Sequence, residues 1–173
     1  MKIVLIGYMG SGKSSVGKKL AEVLNVPFKD IDLEIENEQG SSIPDIFLNK
    51  GEVYFRKVEN SILKKILSQD GNFVLATGGG TPCYADSMSF MTEQENVVTI
   101  FLKTPLTILS DRLFLEKENR PLLSHIKTPK ALNDFIRKHL FERAFYYNQA
   151  TEIVDNSEEN IDEMVKKIVM KLF

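Results

Sequence analysis

The chain has 173 residues and a net charge of -2, with 43% hydrophobic and 27% charged residues. This length predicts one domain with a sizeable core, by default a monomer, and the charge balance offers no broad basic surface for nucleic acid. The single cysteine, Cys83, excludes a disulfide framework, and no apolar run approaches the roughly 18 residues of a membrane helix, so we expect a cytoplasmic protein that does not bind membranes.

The first predicted elements are a buried strand, Ile3 to Ile6, and a helix, Gly12 to Leu24, joined by a glycine-rich loop. This loop, Gly7 to Ser14, fits the phosphate-binding pattern G-x-x-x-x-G-K-[ST] in the strand, loop and helix context that the pattern requires. In such a loop Lys13 reaches the β- and γ-phosphates of a nucleotide, and the Ser14 hydroxyl is a ligand of Mg²⁺. The alternative is a glycine-rich turn that includes Lys-Ser by chance, which the flanking elements disfavour.

Two aspartates, Asp30 and Asp32, lie at the end of the second predicted strand, Val26 to Ile31. Side chains two residues apart on a strand point to the same side, so both carboxylates are expected to face the phosphate loop. Asp30 would hold Mg²⁺ through water, and Asp32 would orient or deprotonate an acceptor hydroxyl. Alternatively, Asp32 caps a helix that begins at Leu33, a role compatible with the first.

A helix is predicted from Glu52 to Leu67, with Arg56 and Glu59 on one face. The Arg56 guanidinium could bind a substrate carboxylate in bidentate fashion while Glu59 holds it in place. On spacing alone, an exposed pair between Glu52 and Arg56 is favoured over this arrangement.

Three glycines, Gly78 to Gly80, follow the third predicted strand, Phe73 to Ala76. A run without Cβ atoms at the carboxyl end of a strand lets a ligand approach the backbone and accept hydrogen bonds from its N–H groups. A loose loop that leads into a helix explains the run equally well.

A polar segment lies between Phe114 and Thr128, after the fourth predicted strand, Val97 to Leu102. In a phosphate-binding fold, a segment of this kind can close over the site as a lid. Its Arg120, and Arg143 further along the chain, could stabilise the negative charge of a phosphoryl group in transfer. Taken singly, each arginine is more often a solvated charge.

A fifth strand, Thr151 to Val154, and a last helix, Ile161 to Leu172, complete an alternation of strands with helices. This alternation is typical of a parallel sheet with helices on both faces. The sequence therefore predicts an α/β protein, a three-layer sandwich with a five-stranded parallel sheet.

The motifs together resemble those of the shikimate kinase family, in the nucleoside-monophosphate-kinase-like branch of P-loop proteins. The resemblance covers nearly the whole chain, and it rests on Gly7 to Ser14, Asp30 to Asp32, Gly51 to Arg56, Gly78 to Gly80, Arg120 to Leu123, and Arg143. It implies a single P-loop kinase domain over residues 1–173, with a shikimate-binding segment at about 32–60 and a lid at about 113–128. The implied activity is ATP-dependent phosphorylation of the 3-hydroxyl of shikimate, with Mg²⁺, in the synthesis of chorismate.

The resemblance also implies roles for single residues. Arg56 and Arg143 would bind the shikimate carboxylate, and Phe47 and Phe55 would line its pocket. The implied catalytic residues are Lys13, Asp32 and Arg120, and the implied Mg²⁺ residues are Ser14 and Asp30. The implied ATP-binding residues are Gly10, Ser11, Gly12, Lys13, Ser14, Ser15, Arg112 and Arg120. The implied shikimate-binding residues are Asp32, Phe47, Phe55, Arg56, Gly78, Gly79, Gly80, Arg120 and Arg143.

The chain departs from the family pattern on the adenine side. Arg112 matches a basic residue that stacks on adenine at the lid hinge, but Phe114 to Lys117, which follows, is bulkier and longer than usual. The loop after Asp155, Asn156 to Asn160, has no clear match to the segment that would contact adenine.

The sequence fits three other functions less well. A gluconate or nucleoside monophosphate kinase of the same branch fits fewer of the motifs. A regulatory GTPase needs the motifs D-x-x-G and N-K-x-D. The chain lacks the first, and its nearest match to the second, Asn49 to Glu52, ends in glutamate instead of aspartate. A non-catalytic nucleotide-binding module would have no use for Asp32, Arg56 and Arg143 around one pocket.

Overall fold

The computed structural model describes residues 1–116, 123–157 and 160–173, and the predicted lid residue Arg120 lies outside these ranges. The described chain contains a five-stranded sheet in the order β2-β3-β1-β4-β5. All neighbouring strands are parallel, as predicted. The strands are Lys2–Ile6 (β1), Phe28–Asp30 (β2), Phe73–Ala76 (β3), Val97–Lys103 (β4) and Glu152–Asp155 (β5).

Helices connect these strands. They are Lys13–Leu24 (α1), Ile31–Gln39 (α2), Ile43–Leu67 (α3), Ser87–Thr92 (α4), Leu106–Glu116 (α5), Pro129–Tyr147 (α6) and Ile161–Leu172 (α7), and a short 3-10 turn covers Thr81–Cys83. In the part of the chain that the structure describes, no helix combines the length and the apolar character needed to cross a membrane.

The central strand β1 divides the core between the two faces of the sheet. Ile3 and Leu5 belong to one apolar cluster, which includes residues of α1 and α7 such as Leu20 and Ile168. Val4 and Ile6 belong to a second cluster on the opposite face, with residues of α3, α5 and α6. Helices thus cover both faces, which confirms the predicted three-layer sandwich.

The end of β2 differs from the sequence prediction. Ile31 begins α2 instead of ending the strand, because the Asp30 carboxylate accepts a hydrogen bond from the Asp32 backbone N–H at 3.1 Å and caps the helix. The capping role proposed for Asp32 was therefore wrong and belongs to Asp30. Asp32 lies in the first turn of α2, so strand alternation does not set the direction of its side chain.

Helix α3 is longer than predicted and has a kink. Gly51 has non-helical backbone angles, φ 79° and ψ 172°, and separates an unpredicted first part from the helix expected from Glu52 onward. Ser42 caps the first part by accepting a hydrogen bond from the Asp45 N–H. The kink lets one continuous element follow two directions along the edge of the site.

The carboxyl ends of β1, β2 and β3 meet at one edge of the sheet. The phosphate loop follows β1, Asp30 ends β2, and the three glycines follow β3. In parallel sheets this edge is where ligands bind.

Candidate active site

The phosphate loop wraps around the Lys13 side chain. The Lys13 ammonium donates hydrogen bonds to the carbonyl oxygens of Gly7 and Tyr8, at 2.8 and 2.9 Å, and the residue is 8% exposed. Gly12 precedes α1 in a left-handed conformation, φ 83° and ψ 16°, which a residue with a Cβ adopts only at a cost. A buried cation thus sits at the amino end of a helix, where anions are bound.

Ser14 and Asp30 form a pair beside this loop. The Ser14 hydroxyl donates a hydrogen bond to Asp30 Oδ2 at 2.7 Å. One hydroxyl and one carboxylate suit Mg²⁺, which takes few protein oxygens and binds mainly through water and substrate phosphates. Among the described residues, no group of three or more acidic, histidine or cysteine side chains is arranged to hold a metal ion.

Asp32 is largely buried and lies near other carboxylates. Burial raises the pKa of Asp32 to about 6, helped by the carboxylates of Asp30 and Glu59 and opposed by the Lys13 ammonium. A carboxylate with a raised pKa beside a phosphate-binding lysine is suited to accept a hydrogen bond or a proton from an alcohol.

A cavity of about 440 Å³ brings the predicted donor-side residues together. Its lining includes Gly10, Ser11, Gly12, Lys13, Ser14, Ser15, Asp30, Asp32, Gly78, Gly79 and Arg112. The phosphate loop, both aspartates and the first two glycines of the triplet therefore share one space.

The glycine triplet joins this cavity to Arg56. A Cβ built on Gly80 would lie only 2.7 Å from one terminal nitrogen of Arg56 and 2.8 Å from the other, so only glycine lets the guanidinium lie against this loop. Arg56 donates to Glu59 at 2.8 Å, and buried Glu59 also accepts from the Thr81 hydroxyl at 2.7 Å. Burial opposes the charge of Arg56, but the ion pair and hydrogen bond with Glu59, together with the smaller effects of Tyr84 and Glu52, raise its pKa.

Both alternatives weighed for Arg56 are present. The guanidinium Nε also lies 3.5 Å from the Glu52 carboxylate, which is 54% exposed. The contact with Glu59 is shorter and its carboxylate is buried, so Glu59 is the stronger partner. Glu59 thus anchors one end of the Arg56 guanidinium, which presents its charge beside Gly80.

Tyr147 links α6 to the glycine loop near Arg143. The Tyr147 hydroxyl donates to the carbonyl oxygen of Gly79 at 2.6 Å, and the nearby Arg143 guanidinium opposes the rise that burial causes in the pKa of Tyr147. The guanidinium carbon of Arg143 lies 5.4 Å from the centre of the Tyr8 ring. Tyr147 follows Arg143 in the matched motif and had no predicted role, although its spacing of four residues from Arg143 places both on one face of a helix.

Aromatic and apolar side chains flank these charges. The rings of Phe47 and Phe55 are 4.6 Å apart between centres, so the two predicted wall residues do pack together. Burial raises the pKa of Cys83 to about 11, which keeps its thiol protonated at neutral pH and agrees with an inert packing role.

Arg112 and Asn156, two polar residues that line the cavity, bind backbone carbonyl groups of the phosphate loop. Arg112 donates to the Gly10 carbonyl at 3.2 Å, which places it at the phosphate loop. Asn156, 4% exposed, donates to the Ser11 carbonyl at 2.7 Å and to the Thr104 hydroxyl at 2.8 Å. The sequence pointed to the loop that begins at Asn156 but not to these contacts, because the partners of Asn156 are distant along the chain.

Comparison with known proteins agrees with this geometry. The family described as "Shikimate kinase" matches residues 9–173. A shikimate kinase of Flavobacterium psychrophilum is 43% identical over 171 residues, which cover 97% of this chain and 98% of that protein. The structure of a shikimate kinase from Bacteroides thetaiotaomicron has a TM-score of 0.90 at 36% identity, covering 99% of this chain and 98% of the other. A shikimate kinase from Acinetobacter baumannii, solved in complex with shikimate, has a TM-score of 0.87 at 34% identity, covering 99% and 92%.

Proposed function

Because the chain belongs to the shikimate kinase family, we propose that it transfers the γ-phosphoryl group of ATP to the 3-hydroxyl of shikimate. The observation that carries this proposal is the position of the glycine loop. Gly78 and Gly79 line the cavity that holds Lys13, and Gly80 lies against the Arg56 guanidinium. The glycine loop thus borders both the proposed phosphate-binding half and the proposed carboxylate-binding half of the site.

On the donor side, Lys13 binds the β- and γ-phosphates, with Gly10, Ser11, Gly12, Ser15 and Arg112 around the nucleotide. Ser14 and Asp30 hold Mg²⁺, which when bound neutralises phosphate charge. Their hydrogen bond supports this role, because it holds the Ser14 hydroxyl and the Asp30 carboxylate side by side in the lining of the cavity.

On the acceptor side, Arg56 and Arg143 bind the carboxylate of shikimate, and Phe47 and Phe55 wall the ring. Gly78, Gly79 and Gly80 give the substrate access to the backbone. Asp32 lies between the two halves: it lines the cavity, and the charges of both Lys13 and Glu59 affect its pKa. It therefore orients the acceptor hydroxyl and can take its proton.

The reaction is in-line transfer, driven mainly by positioning and charge stabilisation. A loose transition state does not require a strong base, so Asp32 contributes largely by orientation. Arg120, outside the described residues, is proposed to contact the transferred phosphoryl group from a lid at about 113–128. The segment at about 32–60, which carries Arg56, is proposed to bind shikimate.

We further propose that residues 1–173 act as a single kinase domain, as a cytoplasmic monomer with no nucleic-acid partner. The net charge of -2 supports the last point, since nucleic-acid binding calls for a basic surface. Size-exclusion chromatography with light scattering tests the monomer, and a dimer peak at micromolar protein would contradict it.

The proposed reaction is tested with a panel of acceptors. Purified protein is given MgATP and either shikimate, gluconate or a nucleoside monophosphate, and ADP release is followed by a coupled assay. We expect turnover with shikimate to exceed that with the other acceptors by orders of magnitude. Equal or greater turnover with gluconate or a nucleoside monophosphate would favour the corresponding kinase instead.

A further inference from the structure

Tyr84 lies where the glycine loop meets Arg56. It follows the 3-10 turn Thr81–Cys83, directly after the glycine triplet. Its ring centre is 4.1 Å from the guanidinium carbon of Arg56, and its hydroxyl donates to the Glu52 carboxylate at 3.2 Å. Tyr84 thus contacts Arg56 directly and also holds a carboxylate that faces the same guanidinium.

Arg56 is held well at one end only. Glu59 binds one terminal nitrogen at 2.8 Å, whereas Nε is buried and has no hydrogen-bond partner among the described residues. The Glu52 carboxylate lies 3.5 Å from Nε, close enough to attract it but without a hydrogen bond. A guanidinium fixed by one terminal nitrogen can still rotate, so the plane of the group must be set by something else.

The Tyr84 ring supplies this second restraint. An aromatic ring stacked on a guanidinium attracts the cation and restricts the orientation of the guanidinium plane. Phe55 lies farther away, with its ring centre 5.1 Å from the same carbon. A planar fork binds a carboxylate with two hydrogen bonds only when that plane is correctly set.

We propose that Tyr84 is a positioning residue for the substrate carboxylate: it sets the plane of the Arg56 guanidinium through its ring and braces Glu52 through its hydroxyl. This inference rests on the proposed function, because it assumes that Arg56 binds the acceptor. Tyr84 itself needs no contact with shikimate or ATP. Its effect is exerted through Arg56 alone.

The test compares Tyr84→Leu, which removes the ring, with Tyr84→Phe, which keeps the ring and removes the hydroxyl. Phe90→Leu is the matched control, because Phe90 makes a similar contact with Lys64, at 5.2 Å, between α4 and α3. The KM for shikimate, the KM for ATP and kcat are measured for each variant, with thermal unfolding to confirm that the protein is folded.

We expect Tyr84→Leu to raise the KM for shikimate about five- to tenfold, with the KM for ATP and kcat nearly unchanged. Tyr84→Phe should stay within about threefold of the wild type, because the ring is retained. Phe90→Leu should leave all three constants unchanged. A Tyr84→Leu variant that is folded and has the wild-type KM for shikimate would overturn the inference.

A double-mutant cycle distinguishes positioning through Arg56 from a general effect on the fold. In an Arg56→Ala background, Tyr84→Leu should cause no further rise in the KM for shikimate. An equal rise in both backgrounds would show that Tyr84 does not act through Arg56. Absence of shikimate-dependent ADP release in the wild type would instead refute the proposed function, so the two failures are separable.

Discussion

The Ser14 hydroxyl donates to Asp30 Oδ2 at 2.7 Å, while Asp30 Oδ1 accepts the Asp32 backbone N–H at 3.1 Å. One carboxylate therefore joins the phosphate loop to the start of α2. This places Asp32 on the helix turn that Asp30 caps, and so couples the residue proposed for Mg²⁺ to the residue proposed for the acceptor.

This arrangement allows the charge of Asp30 to be removed without removing the cap. Asparagine caps helices as well as aspartate does, so Asp30→Asn should leave stability within about 1 kcal/mol of the wild type. The Mg²⁺ concentration needed for half-maximal activity should rise about tenfold or more. Magnesium titrations at saturating shikimate provide the measurement.

Asp45→Asn is the control for this experiment, since Asp45 accepts from the Ser42 hydroxyl at 2.6 Å in an exposed pair at the start of α3. It should leave the Mg²⁺ requirement unchanged. An Asp30→Asn enzyme with the wild-type Mg²⁺ requirement would remove Asp30 from the metal site.

Because the pKa of Asp32 is raised, we expect Asp32→Asn to increase the stability of the fold even though it impairs activity. The folded protein holds this proton with a pKa of about 6, against an ordinary value of 3.8, so the charge of Asp32 reduces the free energy of unfolding as pH rises from about 4 to 6. Asp32→Asn lacks this charge. Above pH 6 it should be more stable than the ligand-free wild type by up to about 3 kcal/mol, and near pH 4 the difference should vanish.

The same variant should lose most of its turnover, because a neutral amide orients the acceptor hydroxyl less strongly than a carboxylate does and cannot take its proton. We expect kcat to fall by about 100-fold or more. Urea unfolding at several pH values and steady-state kinetics at pH 7.5 check the two effects. Near-normal kcat in Asp32→Asn would show that the assignment of Asp32 is wrong. Equal stability of Asp32→Asn and the wild type at pH 7 would show that the charge of Asp32 does not destabilise the fold.

Gly80→Ala should damage acceptor binding specifically. The new Cβ would lie within 2.8 Å of both terminal nitrogens of Arg56 and would displace the guanidinium. We expect the KM for shikimate to rise about tenfold or more, with the KM for ATP unchanged. Steady-state kinetics with each substrate varied in turn measure the split.

Gly71→Ala is a suitable control for this substitution, since a Cβ there meets no atom within 4 Å. That variant should lose some stability through its φ of 99° but keep both KM values. If Gly80→Ala retained the wild-type KM for shikimate, the contact between this glycine and Arg56 would have no role in binding.

Asn156→Ala should affect the nucleotide side. The substitution removes two buried hydrogen bonds, one to the phosphate loop at Ser11 and one to Thr104. We expect a loss of about 1–3 kcal/mol in stability and a rise of about three- to tenfold in the KM for ATP, with the KM for shikimate unaffected. Asn133→Ala, which removes a half-buried bond to Ser110, should leave the KM for ATP unchanged. A shift in the shikimate KM alone would contradict this role of Asn156.

Local patterns predicted where the phosphate loop lies in the fold. Lys13 and Ser14 follow a strand and begin a helix, and their environment depends mainly on residues close to them in sequence. The sequence also allowed the pairing of Arg56 with Glu59 to be predicted, because a helix brings residues three apart onto one face. The cap at Asp30 was missed because either aspartate could have started the helix.

Long-range contacts could not be predicted in this way. Tyr84 meets Arg56 only because the turn after the glycine triplet packs against α3, and Asn156 meets Ser11 across 145 positions of sequence. Nothing in the local pattern of either residue encodes its partner. The acceptor half of the site depends on such contacts, so its geometry required the fold.

The most direct test of the central claim is identification of the product formed by the wild type and by Lys13→Ala. Each protein is incubated with MgATP and shikimate, and ADP and phosphorylated shikimate are quantified together by mass spectrometry, with ³¹P NMR to locate the phosphate. We predict equimolar ADP and shikimate 3-phosphate from the wild type and almost none from Lys13→Ala. ADP release that is independent of shikimate, or a phosphorylated product formed equally by folded Lys13→Ala, would contradict the claim.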